Sequence, residues 1–321
     1  MAGLVERLDQ LQRDHPVLGL PLGVVYKYAD DEGGYLAATL TYYAFVSIFP
    51  LLLIASSVLG FLLRGDPSLS QRLLDTALSQ FPIVGTQLGR PEGLQGSVSA
   101  VVVGGLTALY GVIGLGQAAA RTVNVVWAVP RNSRLNPVLS RARSLLAFVV
   151  AGLAVVVVTV LSVVLSHLDL GVGLATDAVT VLLNVAVLAT MMRLATGERQ
   201  TLRATLPGAC LIAVLWQVLQ SLGGLYVEHV IRRASDMAGL FAVVLGLIAL
   251  IYIATVTAVL GMELNVVLAR RLYPRALLTP FTDDVELTDA DRRAYTDYAK
   301  AQRHKGFQRV RVSFRNRDDR E

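Results

Sequence analysis

Residues 35–63, YLAATLTYYAFVSIFPLLLIASSVLGFLL, run for 29 residues without a formal charge. At about 1.5 Å of rise per residue, a helix of that length exceeds the roughly 30 Å hydrocarbon layer of a bilayer. A chain carrying such a stretch is constrained to bury it in lipid, and the stretch is read as a first transmembrane helix. Its leading half is polar for a lipid-facing span, with Thr39, Thr41, Tyr42, Tyr43 and Ser47 ahead of Pro50. Proline removes one backbone donor and frees a carbonyl one turn earlier, a defect satisfied by neighbouring helices, hydroxyls or water. The face from Thr41 to Pro50 is therefore expected to point into a bundle. It would serve there either as ordinary packing around a kink or as a substrate lining.

Five further apolar runs follow, at 98–127, 144–166, 176–192, 207–230 and 239–269. With 54% hydrophobic and 17% charged residues over 321 positions, the chain is too apolar for a soluble domain. An all-α, polytopic, six-helix transmembrane bundle is predicted. Three regions are expected: an interfacial segment at 1–34, the membrane domain at 35–269 and a basic tail at 270–321. Residues 3–14 space Leu4, Leu8 and Leu11 as an amphipathic helix on the membrane or on the bundle. Residues 17–28, broken by Gly19, Pro21 and Gly23, read as an interfacial elbow. No cleavable signal peptide is expected ahead of the first span. A second amphipathic helix, around Leu69, Leu73 and Leu78, is expected at the opposite face.

Orientation follows from arginine and lysine counts in the loops. Loops 121–143 and 193–206 carry eight, against five in the longer loops 64–97, 167–177 and 228–238. Both termini are thus expected to be cytoplasmic, which an even number of spans satisfies. Beyond Arg270, Arg271 and Arg275, read as anchors at the cytoplasmic face, Thr288 with Asp291 marks a helix start of the capping-box kind. The tail then holds Lys300, Arg303, Lys305, Arg309, Arg311, Arg315 and Arg317 with no acid between Lys300 and Arg317. Contact with anionic lipid headgroups is the expected role, at about 1 kcal/mol per charge. A solvated tail and RNA binding are the alternatives, and nucleic acid is not the expected partner.

The single cysteine, Cys210, rules out an intramolecular disulfide, and the four histidines at 15, 167, 229 and 304 form no metal-binding pair. Neither a metal nor a cofactor is expected. Asp30 with Asp31, and Asp283 with Asp284, read as solvated loop charges rather than an acid–base pair, so no enzymatic activity is expected.

The words AATLTYYAFVSIFPLLL (37–53), GLGQAAARTVNVVWAVPR (114–131), LPGACLIAVLWQVLQ (206–220) and LGMELNVVLARR (260–271) stand in an order and spacing that resemble the YihY/BrkB family of bacterial inner-membrane proteins. The resemblance spans about residues 20–275 and implies an all-helical, six-span fold in the plasma membrane. Members of that family have carried labels as a ribonuclease, as a serum-resistance or virulence factor and as a transporter, including one linked to export of a lipopolysaccharide lipid. The basic tail falls outside the resemblance.

Counting inward from each expected cytoplasmic end places several polar groups at similar depth. Tyr42 and Tyr43 fall roughly 10 Å in, Gln117 and Gln217 roughly 15 Å, Asn184 roughly 13 Å, and Arg121 and Glu263 roughly 9 Å. Such a layer predicts a shared polar cavity opening to the cytosol, lined by Thr39, Tyr42, Tyr43, Ser47, Pro50, Gln117, Arg121, Asn124, Asn184, Gln217, Glu263 and Asn265. Alone in hydrocarbon Glu263 would take up a proton. Beside Arg121 it stays charged, so a Glu263 to Arg121 ion pair is expected, with Asn124 and Asn265 as hydrogen-bonding neighbours. Three functions compete: a transporter or flippase of a lipid-like or amphipathic substrate, a noncatalytic envelope scaffold, and a ribonuclease, which the scarcity of catalytic carboxylates disfavours. The glycine-rich second span suits intramolecular packing or a dimer contact equally.

Overall fold

The computed structural model describes residues 2–62, 98–166, 173–195, 201–226, 228–229, 236–279, 282 and 285–314. Helices and turns make up the described residues, with no strand among them. Two short helices lead, α1 (Ala2–Asp14) and α2 (Pro16–Asp30). Six long ones follow: α3 (Gly33–Leu62), α4 (Val98–Val126), α5 (Pro137–Ser166), α6 (Gly173–Ala195), α7 (Leu202–Tyr226) and α8 (Asp236–Arg270). A last helix, α9 (Asp289–Ala301), stands in the tail. Among the described residues, 202–226 and 241–270 are long and apolar enough to cross a membrane. The expected amphipathic helix around Leu69 to Leu78 lies outside the described residues. Pro50 lies within α3, but its side chain is likewise outside them.

The long helices pack in a cycle: α3 on α4, α4 on α5, α5 on α6, α6 on α7, α7 on α8 and α8 back on α3. Contacts of α4 with α6 and α8 cross that cycle. At the end where α3 begins and α8 finishes, here called the base, the centre is filled by Val123, Val126, Met192, Ile212, Met262 and Val266. Close approach depends on missing side chains. A Cβ on Gly114 would stand 2.2 Å from the Tyr43 ring, and one on Gly208 would stand 1.9 Å from the Gly261 carbonyl oxygen.

Two departures from the expected boundaries have local causes. Helix α2 is continuous through Pro21 where an elbow was expected, because it is laid along the exit of α8. A Cβ on Gly23 would meet the Leu272 carbonyl at 3.1 Å, so the glycine permits that contact rather than breaking the helix. Helix α7 starts at Leu202, ahead of Pro207. Asn265 of α8 supports its first turns, accepting from the Gly208 N–H at 2.6 Å and donating to the Thr205 carbonyl at 3.2 Å. Backbone groups disturbed near a proline thus gain a partner from the neighbouring helix.

The tail is built onto the base. Thr288 caps α9 and Asp291 returns the bond, forming the expected capping box. Asp291 also accepts from the Ala276 N–H at 3.0 Å and pairs with Arg275. Loss of the cap in Thr288→Ala is expected to cost about 1 kcal/mol, read as a lower denaturant midpoint for the purified protein with an unchanged slope. Helix α1 closes the same corner, where Asp9 accepts from the Leu277 N–H at 2.9 Å and Gln12 donates to the Arg275 carbonyl.

Candidate functional site

Sequence spacing brings charges from three distant segments together under the base. Lys27 of α2 and Asp31, which caps that helix, are separated by one helical turn and form a direct ion pair, each side chain about 2% exposed. Glu263 of α8 is fully buried, with its Oε2 3.4 Å from the Lys27 Nζ. That amine also donates to the Val126 carbonyl at 3.0 Å, tying in the end of α4. One ammonium therefore faces two carboxylates, and among the described residues neither Glu263 oxygen has a hydrogen-bond partner.

A second tier lies beside the first. Arg275, fully buried, pairs with Asp291 of α9 and with Asp30 of α2 at 3.1 Å. Burial alone would lower the Arg275 pKa, but the Asp291 hydrogen bond and charge, with that of Asp30, hold it above the usual range. The Arg275 guanidinium also lies against the rings of Tyr26 and Tyr295. Tyr298 joins the tiers: its hydroxyl donates to Asp30 at 3.4 Å, and the Lys27 Nζ sits 5.2 Å from its ring centroid. Burial, then the charges of Asp31 and Asp30, raise the Tyr298 pKa, so the phenol stays a donor. Burial raises the Asp31 carboxyl as well, against the opposing pull of Lys27.

The expected site is thus rearranged. Glu263 does not pair with Arg121, which is exposed on α4; its partner is Lys27. Asn124 donates to the Ala120 carbonyl at 2.7 Å, and Asn265 is committed to α7, so neither is a neighbour of Glu263 by hydrogen bond. Asp30 and Asp31 are not solvated loop charges, nor is Arg275 a surface anchor; all three belong to the network. Its members outside the apolar runs carried one local signal, the one-turn spacing of Lys27 and Asp31.

The remaining described candidates are spread over α3, α4, α6 and α7. Thr39 and Tyr42 are exposed on α3, the hydroxyl of Thr39 returned to the Tyr35 carbonyl at 2.8 Å. Ser47 is buried against α4 and bonded to the Tyr43 carbonyl, while the Tyr43 ring packs edge-on to Tyr42 and near Tyr110. Gln117 is half-buried and donates to Ser140 and Ser144 of α5 at 3.2 and 3.3 Å. Asn184 is half-buried on α6. Gln217 lies on the exposed arc of α7 with Val214, Val218 and Ser221.

In the tail, Arg303 bonds Asn132 at 3.0 Å, so it is held by the turn after α4. Lys300, Lys305, Arg309 and Arg311 are exposed, and Arg315 and Arg317 lie outside the described residues. A shallow groove of about 680 Å³ on α9 is lined by Arg270, Arg292, Arg293 and Lys300 with Asp289, Thr296 and Asp297. Arg270 is partly neutralised there by Asp297 at 2.7 Å.

A family model described as virulence factor BrkB matches residues 24–283. No curated protein and no solved structure matches the chain. The matched region takes in Lys27, Asp30, Asp31, Glu263 and Arg275, and leaves out α9.

Proposed function

The chain belongs to the YihY/BrkB family, and on that premise we propose that it is a noncatalytic, multi-pass membrane scaffold whose base is a rigid cytoplasmic platform. Helices α3 to α8 are the six crossings, with both termini on the base side. The basic loops 121–143 and 193–206 favour that orientation.

The observation that carries the scaffold reading is the base itself. A carrier open to the cytosol needs polar side chains around a hollow there. Instead the centre holds Val123, Val126, Met192, Ile212 and Met262 at native-like contact, and the buried charges tie α2, α8 and α9 to one another. The exposed outer surface of that platform is α9, where Arg292 and Arg293 stand.

Cells lacking the chain and complemented with Arg292→Glu/Arg293→Glu are expected to lose envelope-stress and serum survival at normal protein level. Acceleration of labelled-lipid or solute flux by the purified protein in liposomes, above protein-free vesicles, would overturn the scaffold reading in favour of a carrier. Orientation has its own test. In a Cys210→Ser background, Lys305→Cys is expected to react with a membrane-impermeant maleimide only after cells are permeabilised. Labelling of intact cells would reverse the topology.

A further inference from the structure

Between Glu92 and Asp169 the chain contains no acidic residue, and this interval includes α4, the turn after it and all of α5. Helix α4 ends in a tight reversal. Ala128 takes a left-handed conformation, φ 47°, and the Val129 N–H donates to the Asn124 carbonyl at 2.8 Å. The 3-10 turn Arg131–Ser133 follows, and its Asn132 N–H donates to the Arg303 carbonyl at 3.2 Å. Arg134 is half-buried, and its Nε donates to the Val129 carbonyl at 3.1 Å, which fixes the plane of its guanidinium. Burial, then the charges of Arg131 and Arg121, lower the Arg134 pKa, and no acidic group among the described residues contributes. Arg303 adds a further guanidinium beside the turn through its bond to Asn132.

The charges of Arg131 and Arg121 thus act on a guanidinium held at the end of α4, with no acidic group of the described residues acting on it, an arrangement that an anion would relieve. Guanidinium forks match the oxygens of a phosphate, and one of the three is held in a fixed plane. Immediately beyond the turn, α5 opens with exposed aliphatics, Val138 and Leu139, followed by Leu146. Apolar surface beside a cationic recess suits a molecule that is charged at one end and aliphatic at the other.

We propose that Arg121, Arg131 and Arg134 form a binding site for a phosphodiester anion, presented by the headgroup of an anionic lipid whose acyl chains lie against the first turns of α5. The inference rests on the base lying at a membrane surface, which the cysteine-labelling experiment tests separately. Arg121, assigned by depth to an interior cavity, is on this reading a surface residue of a lipid site.

Short-chain dihexanoyl phosphatidylglycerol is the probe, titrated onto the full chain in neutral detergent. Arg121→Gln/Arg131→Gln, both at exposed positions, is expected to weaken its Kd by about tenfold or more. Arg292→Gln/Arg293→Gln, in the groove on α9, is expected to leave it unchanged. Dihexanoyl phosphatidylcholine and inorganic phosphate are each expected to bind about tenfold more weakly than the phosphatidylglycerol. Equal binding of phosphatidylglycerol by parent and Arg121→Gln/Arg131→Gln proteins overturns the site. Inorganic phosphate binding as tightly as the lipid overturns the lipid as its source.

Discussion

Replacing Lys27 with methionine is expected to lower the unfolding free energy of the detergent-solubilised protein by about 3–5 kcal/mol. Among the described residues Lys27 is the one cation in contact with both Asp31 and Glu263, and all three side chains are almost wholly removed from solvent. Without it, two carboxylates remain in a low-dielectric base with no counter-charge beside them. The cost arises from the stranded partners rather than from the strength of the bond removed. Replacing all three together, Lys27→Met with Asp31→Leu and Glu263→Met, is therefore expected to return stability to within about 1–2 kcal/mol of the parent. An exposed pair serves as the contrast. Arg13 and Asp9 are 34% and 21% exposed, so Arg13→Ala is expected to cost less than about 1 kcal/mol. Equilibrium unfolding of the set in mixed micelles gives the comparison. A Lys27→Met protein within 1 kcal/mol of the parent would show that the base tolerates the unpaired carboxylates, through water or protonation, and that the network is not what holds α2 to α8.

What could be read from the chain before folding was what depends on neighbours in sequence. The capping box at Thr288 and Asp291 is a contact over three residues, and the helix of 33–62 follows from a long uncharged run. Glu263 stood out for the same reason, as an acid in an apolar segment. Its partner did not, because Lys27 sits outside the apolar runs, in a segment broken by Gly19, Pro21 and Gly23. Those residues looked like helix breakers. In the fold the two glycines are points of contact, since α2 lies close against residues 272–274 and a side chain at Gly19 or Gly23 would meet that backbone, while Pro21 is on the exposed side of a continuous helix. For Gln217 and Tyr42 depth leaves a different gap. Counting along a helix gives height but not azimuth, and both side chains lie on exposed arcs. The azimuth is set by which neighbours each helix packs against, information carried by small residues spread over several helices.

Gly208→Ala is expected to destabilise the protein by about 3 kcal/mol or more, although alanine is the better helix former. The methyl group would be placed 1.9 Å from the Gly261 carbonyl oxygen and 2.6 Å from the Asn265 amide nitrogen. The nearest obstruction is backbone, so relief requires the axes of α7 and α8 to separate. Separation in turn breaks the 2.6 Å bond from the Gly208 N–H to Asn265 and leaves that nearly inaccessible amide short of a partner. Overpacking contributes about 1–3 kcal/mol and the stranded polar group about the same again. Gly224→Ala, in the same helix, isolates the contact from helix propensity. A Cβ there meets nothing within 4 Å, so this substitution is expected to stabilise by up to about 1 kcal/mol. The two alanine variants, unfolded side by side, should therefore move in opposite directions. If Gly208→Ala matched Gly224→Ala, the backbone of α7 could not lie against that of α8 at Gly261, and Asn265 could not support the turns around Pro207.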